Sequence, residues 1–536
     1  MTADRAAAAR VAAEHGRQAA PGSARGVDGL FFWAESGAAG GRLVVATLAN
    51  HALGANAAVI EALDPETHAS GGWTVFRANR APATDAALRA LLPNLAPRPL
   101  GLATSAGFGD RLGLATPGHV DALNACGAAG KVAAIFGQQS MRENARTGRT
   151  PREVVDDATW GAFTAGWQHA VGADADHLKT EADIDLCLAA GYSFFTIDPG
   201  EHVNPAADTL EGAKLQEAFD ALPWQALETT PGDLRSRLGG ARVDLGAAPA
   251  GASAAAGSGA ASGMAGAHAA ADVVTFAPGA LERAAVKYGR AVAHVARLAR
   301  HLVARAGYPT ELEVSVDETP TPTSFAEHVY FATELRRLGV RWVSLAPRFV
   351  GEFEKGVEYI GDLGELARCL RGHAAIAAQL GPYKLSLHSG SDKFAVYPIA
   401  AAATGGLVHL KTAGTSYLEA LRVVGAHEPE LLRRVAELAV ERFAEDVHSY
   451  HISGSPARMP DLSALDGTAI CALLEQLDAR QVLHVTFGSA LKAHGAEIRA
   501  LLRREPAAYR AALRRHFERH IAPLVTLPAT GARGAA

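Results

Sequence analysis

Short apolar runs recur along the chain, separated by longer Ala/Leu/Arg-rich stretches of helical periodicity. Parallel strands joined by crossover helices give this pattern, because a parallel neighbour can be reached only through a connection long enough to hold a helix. The candidate strands are Leu100 to Thr104, Val132 to Phe136, Ala170 to Asp174, Phe194 to Ile197, Leu312 to Val316, Trp342 to Leu345, Lys384 to Leu387, Leu407 to Leu410 and Leu483 to Phe487. Nine candidates for eight places favour an α/β fold of the (β/α)8 TIM-like barrel type, with one surplus run or one belonging to an N-terminal subdomain.

Around this barrel, expected over residues 97–525, lie three further regions. Residues 1–27 are rich in Ala, Arg and Gly and read as a flexible tail. Residues 28–96, with LFFWAES and LVVATL, read as a small N-terminal α/β subdomain. The run 246–271 has almost no large side chain, cannot bury enough surface to offset its conformational entropy, and is expected to be a disordered insert.

Charge and cysteine content remove several function classes. The 51 Lys and Arg against 56 Asp and Glu leave a formal charge of −5, with no basic excess to neutralise a phosphate backbone, so nucleic acid is not expected as a partner. The four cysteines form no CxxC pair, which argues for a reduced, cytoplasmic protein without a thiolate metal site. The charged N-terminus lacks an apolar signal segment, and no run of about 18 strongly apolar residues follows, so no membrane partner is expected. Homo-oligomer formation is left open.

Alternation along the candidate strands says what faces the barrel interior. Glu313, Ser315 and Asp317 oppose Leu312, Val314 and Val316; Lys384, Ser386 and His388 oppose Leu385 and Leu387; His409 and Lys411 oppose Val408 and Leu410; His484 and Thr486 oppose Leu483, Val485 and Phe487. A purely structural lumen would hold layers of Val, Ile and Leu, so acids, imidazoles and amines there predict a charged ligand and a metal.

The turns after strands are dense in polar groups, as barrel active sites are: Gly107 to His119, Gly137 to Asn144, Asp174 to Lys179 and Leu387 to Lys393. Leu112 stands where a dinucleotide fingerprint needs its third glycine, and neither HExxH nor GxSxG occurs. A divalent site assembled across strands from imidazole and carboxylate stays open, with His177 and His388 as the best candidate ligands for one zinc, manganese, cobalt or nickel ion. Asp176 and Glu313 are the candidate general base and acid, unless they merely pair with Lys179, Lys411 or Arg348. Gln139, Arg348 and Lys411 are the candidate substrate-binding residues.

The strings GFGDRLGLATPGH, GQQSMRENARTGRT, GADADHLKT, FFTIDPGEHV, EVSVDETPTPTS, FVGEFEKGVEYIGD, YKLSLHSGSDKFAVYP, GGLVHLKTAGTSYLEALRVV and LHVTFGS together resemble the tagaturonate epimerase family, over residues from about 100 to 490. The resemblance implies metal-dependent interconversion of tagaturonate and fructuronate, with relatives acting on tagatose and fructose. It implies a general base at Asp176, an opposing acid at Glu313, and metal ligation by His177 and His388. Glu354 is its third ligand, with Glu318 and His409 as rivals. Inversion at carbon 4, two bonds from the keto carbon, is not reached by simple enolisation, which favours retro-aldol cleavage and recombination over transient oxidation. A metal-dependent sugar aldolase or ketose isomerase is the alternative enzyme, and a sugar-acid binding protein without turnover the alternative of another class.

Overall fold

The computed structural model describes residues 3–17, 19–20, 22–35, 40–245, 273–467 and 469–525. The expected insert at 246–271 lies outside them.

Five strands open the chain: β1 (Arg25–Val27), β2 (Leu30–Glu35), β3 (Arg42–Leu48), β4 (Glu66–Ser70) and β5 (Trp73–Asn79), paired antiparallel in the order β1-β2-β3-β5-β4. Alternation splits their side chains. Leu30, Phe32, Leu43 and Val45 join the main apolar core, whereas Trp33, Val44 and Val75 pack on Val11 and Ala12. The last two belong to the helix Ala3–His15, so this stretch is a packed element where a tail was expected. Its Ala-rich sequence favours helix, and two apolar residues on one face suffice to dock it.

The barrel follows. Its strands are β6 (Ser105–Gly109), β7 (Ala133–Ser140), β8 (Val171–Leu178) and β9 (Phe194–Ile197), then, after the hairpin β10 (Arg242–Asp244) and β11 (Val273–Thr275), β12 (Glu311–Val316), β13 (Ser344–Pro347), β14 (Lys384–Leu387) and β15 (Val408–Lys411). All eight barrel strands pair in parallel, and β15 returns to β6 to close the ring. The expected TIM-like barrel is therefore the fold. Many following helices start on a Ser or Thr whose side chain accepts the N–H of an acid three residues on, as at Ser140/Glu143, Thr150/Glu153, Thr180/Asp183 and Ser324/Glu327. These capping boxes end each loop abruptly and fix the turns that carry the site.

Two strand expectations are corrected. Leu483 to Phe487 is not a strand: it spans the end of the helix Leu477–Val485 and the start of Phe487–Arg504. Val482, Leu483, His484 and Val485 are all buried, as are all residues of the barrel strands β14 and β15, so a short buried run does not separate helix from strand by its pattern. The first barrel strand lies at Ser105–Gly109, just beyond the apolar run Leu100 to Thr104. Its small residues are required by closeness, since a Cβ on Gly109 would stand 2.7 Å from the Ala413 Cα on the neighbouring turn.

Candidate active site

At the C-terminal end of the barrel the inward residues of five strands converge. Asp174 and Asp176 share one face of β8, Thr196 lies on β9, Glu313 on β12, His388 just past β14 and Lys411 at the end of β15. Pairing sets Glu313 level with Thr196 on one side and Ser344 on the other, so these positions form one layer of the lumen.

Lys411 is the hub. Its Nζ lies 2.8 Å from Asp176 Oδ1, Glu313 Oε1, Thr196 Oγ1 and His388 Nε2, and 3.0 Å from Asp174 Oδ2. An ammonium has three hydrogens, so the three carboxylates alone suffice to saturate it and its charge is spent on them. Burial disfavours the ammonium, but Asp174, Asp176 and Glu313 outweigh burial and push its pKa up. Burial likewise pushes the Glu313 carboxyl up, and Lys411, His409 and His388 prevail to hold it at about 2. Glu313 Oε2, fully buried, has no hydrogen-bond partner among the described residues.

The two candidate histidines carry matching supports. His388 Nδ1 lies 3.1 Å from Asp317 Oδ1, leaving Nε2 at 3.2 Å from Asp176 Oδ1. His177 Nδ1 lies 3.1 Å from Asp198 Oδ2, leaving Nε2 at 3.9 Å from both Asp176 Oδ1 and Glu318 Oε1. A carboxylate on one ring nitrogen, with the other nitrogen turned inward, is how metal-ligating histidines are commonly oriented. His177 reaches this position through a left-handed backbone, φ 52°, where the β8–β9 register shifts between Ala175 and Leu178. That conformation is costly for a residue with a Cβ and is held in place by its surroundings. Burial and the Lys411 ammonium oppose charge on His388, yet Asp317 and Asp176 raise its pKa to about 10.

Asp176, His177 and His388 place one donor atom each within 4.8 Å of one another, and two imidazoles with a carboxylate suit zinc, manganese, cobalt or nickel. The donor types fit a divalent cation, which would share Asp176 and His388 with the Lys411 ammonium 2.8 Å from both.

The remaining candidates are placed differently. Glu354 is not in this group; its Oε2 accepts from Ser453 N and Oγ and from Gln481 Nε2 at 2.7–2.9 Å, which fixes it to another wall. His409 lies deeper, its Nδ1 2.8 Å from Ser105 Oγ. Glu318 stands on the rim, paired with Arg142 at 3.5 Å. Gln139 points away from the lumen toward Arg149, and Gln138 beside it reaches Asp174 instead, because the β7–β8 register shifts between Ile135 and Gly137 and displaces the alternation by one. Arg348 lines the site cavity and pairs with Glu352. Asp174, Thr196, Asp198 and Asp317 were not singled out as site residues, although GADADH places Asp174 on the same face as Asp176.

A cavity of about 690 Å³ opens over His388 and Asp317 and is walled by Arg142, Arg348, Lys355 and Tyr450, among others. It lies at the end of the barrel where such enzymes bind substrate.

A sequence model described as tagaturonate epimerase matches residues 39–233 and 268–524. The chain belongs to the tagaturonate epimerase family. It is an isomerase-class carbohydrate epimerase by that membership. It is 40% identical over 437 residues to the tagaturonate/fructuronate epimerase of Thermotoga maritima, covering 81% of this chain and 83% of that one. Crystal structures of the fructuronate-tagaturonate epimerase from Cohnella laeviribosi superpose with a TM-score of 0.82. The glycerol complex is 30% identical, covering 97% of this chain and 98% of that one, and the native form 29%, covering 97% and 99%. The break between the two matched stretches contains most of the Ala/Gly/Ser-rich run 246–271.

Proposed function

We propose that this epimerase interconverts D-tagaturonate and D-fructuronate by inverting carbon 4, and accepts D-tagatose and D-fructose through the same chemistry, with one divalent cation held by His177, His388 and Asp176. The observation that carries the reading is the convergence of two carboxylate-backed imidazoles on Asp176 beside Glu313 Oε2, which has no hydrogen-bond partner among the described residues. Asp176 replaces Glu354 as third ligand, and proton transfer falls to Glu313. When bound, the cation stabilises negative charge developing on the substrate oxygens.

Glu313 Oε2 takes the proton from the carbon-4 hydroxyl. The C3–C4 bond breaks, its electron pair staying with C3 to give the enediolate of carbons 1–3, while carbon 4 becomes an aldehyde. After the aldehyde turns its other face, C3 attacks it, the C3–C4 bond reforms and Glu313 returns the proton to the carbon-4 oxygen. Lys411 keeps Glu313 and Asp176 ionised for these roles and is not itself a substrate ligand. Incubating protein reconstituted with each divalent metal with tagaturonate, and separately with tagatose, followed by product identification, tests this. Formation of fructuronate supports the assignment; cleavage products alone would make the protein an aldolase, and an aldose product a ketose isomerase.

A further inference from the structure

We propose that Lys355 receives the substrate carboxylate and thereby makes the site prefer a keto-uronate to a neutral ketose; this rests on the function proposed above. Three long cationic side chains line the cavity. The Arg142 guanidinium pairs with Glu318 at 3.5 Å and that of Arg348 with Glu352 at 3.0 Å. Lys355 has no carboxylate within ion-pair distance among the described residues; its Nζ donates to Ser389 Oγ at 2.7 Å, one residue from His388. The adjacent acid cannot neutralise it, because Glu354 is turned to Ser453 and Gln481. Beneath the same loop buried Lys393 donates to carbonyl oxygens of Glu354, Val357 and Ser391 at 2.5–2.9 Å. Two ammoniums with no ion-paired acid among the described residues therefore flank the wall next to His388. A half-buried positive charge left in this state is one that an anionic ligand stabilises.

The position also suits the reaction. Cleavage between carbons 3 and 4 leaves the carboxylate on the three-carbon aldehyde, the piece that must turn without escaping. An ammonium is a compact charge with rotatable donors and lets an anchored carboxylate swivel, whereas the planar fork of arginine fixes its orientation.

The experiment compares wild type, Lys355→Met and Lys355→Arg in steady-state turnover of tagaturonate, and measures calorimetric binding of D-galacturonate and D-galactose as probes with and without a carboxylate. The Met variant should raise KM for tagaturonate at least tenfold, lower kcat as unanchored aldehyde escapes, and weaken galacturonate by a similar factor to the KM change while leaving galactose unchanged. The Arg variant should restore KM but lower kcat. Turnover by wild type together with a Met-variant KM within twofold, or equal weakening of both probes, overturns the role of Lys355 alone. A wild type that does not turn over tagaturonate with any divalent metal overturns the functional reading and this assignment with it.

Discussion

His177 and His388 meet edge to face, ring centroids 4.5 Å apart and planes at 72°, although 211 residues separate them along the chain. Each has its own carboxylate on Nδ1, so neither depends on the other for orientation. His388→Ala should remain folded, since the apolar face of β14 is untouched, but lose both bound cation and turnover. Elemental analysis beside an activity assay checks this; wild-type levels of both would remove His388 from the centre.

Glu313→Gln keeps shape and removes the titrating oxygen. Turnover should fall by the ~10²- to 10⁴-fold typical of a lost general acid or base. Lys411 retains Asp174 and Asp176, so the melting temperature should stay close to wild type. A lowered melt with turnover preserved at low temperature assigns Glu313 to charge balance only.

Retro-aldol chemistry predicts a three-carbon aldehyde acid during turnover. A carbonyl trap added to enzyme working on tagaturonate should capture it, and labelled aldehyde acid should enter product. If neither occurs while epimerisation continues, the C3–C4 bond is not broken.

Acid should weaken the fold before it reaches the carboxylates. Burial lowers His119, His328 and His520 from 6.5 to about 3. Between those values the unfolded chain takes up protons that the folded one refuses, so stability rises with pH through this window and is lost as pH drops below about 6.5. Each contributes a slope of about 1.4 kcal/mol per pH unit. His328, bonded to His373 and to the Tyr383 hydroxyl, is the cleanest to test. Urea midpoints of His328→Gln at pH 4.5 and 6.5 should differ by less than those of wild type; an equal difference would contradict a neutral buried imidazole.

Val11→Asp should destabilise the N-terminal sheet by about 1–3 kcal/mol, since Val11 packs against Trp33, Val44 and Val75. Trp33 fluorescence during denaturation reports it. An unchanged transition would return residues 3–15 to the status of a tail.

What could be read in advance follows from how strongly each segment shows its period. β12 is legible because Leu312, Val314 and Val316 alternate with Glu313 and Ser315, and β14 and β15 repeat this with Leu and Val against Lys, Ser and His. β6 is illegible: Ser105–Gly109 is small because its neighbours approach closely, so it has little apolar signal. That Gln138 and not Gln139 reaches Asp174 is illegible in the sequence, because a register shift does not appear in composition. The resemblance implies Glu354 as a ligand, but Ser453 and Gln481, about a hundred residues on, decide where it points. Local pattern reveals which face a residue takes within one strand; long-range partners decide which of several acids reaches the centre.

The return of β15 to β6 has a consequence for how the protein is made. During synthesis β6 is available early, yet its second neighbour does not exist until residue 411 has left the ribosome, about 300 residues later. Until then the growing sheet presents an unpaired edge at β6, open to strands of other chains. Variants that slow closure should therefore reveal themselves first as lost soluble yield during expression, even where the purified remainder melts and turns over like wild type.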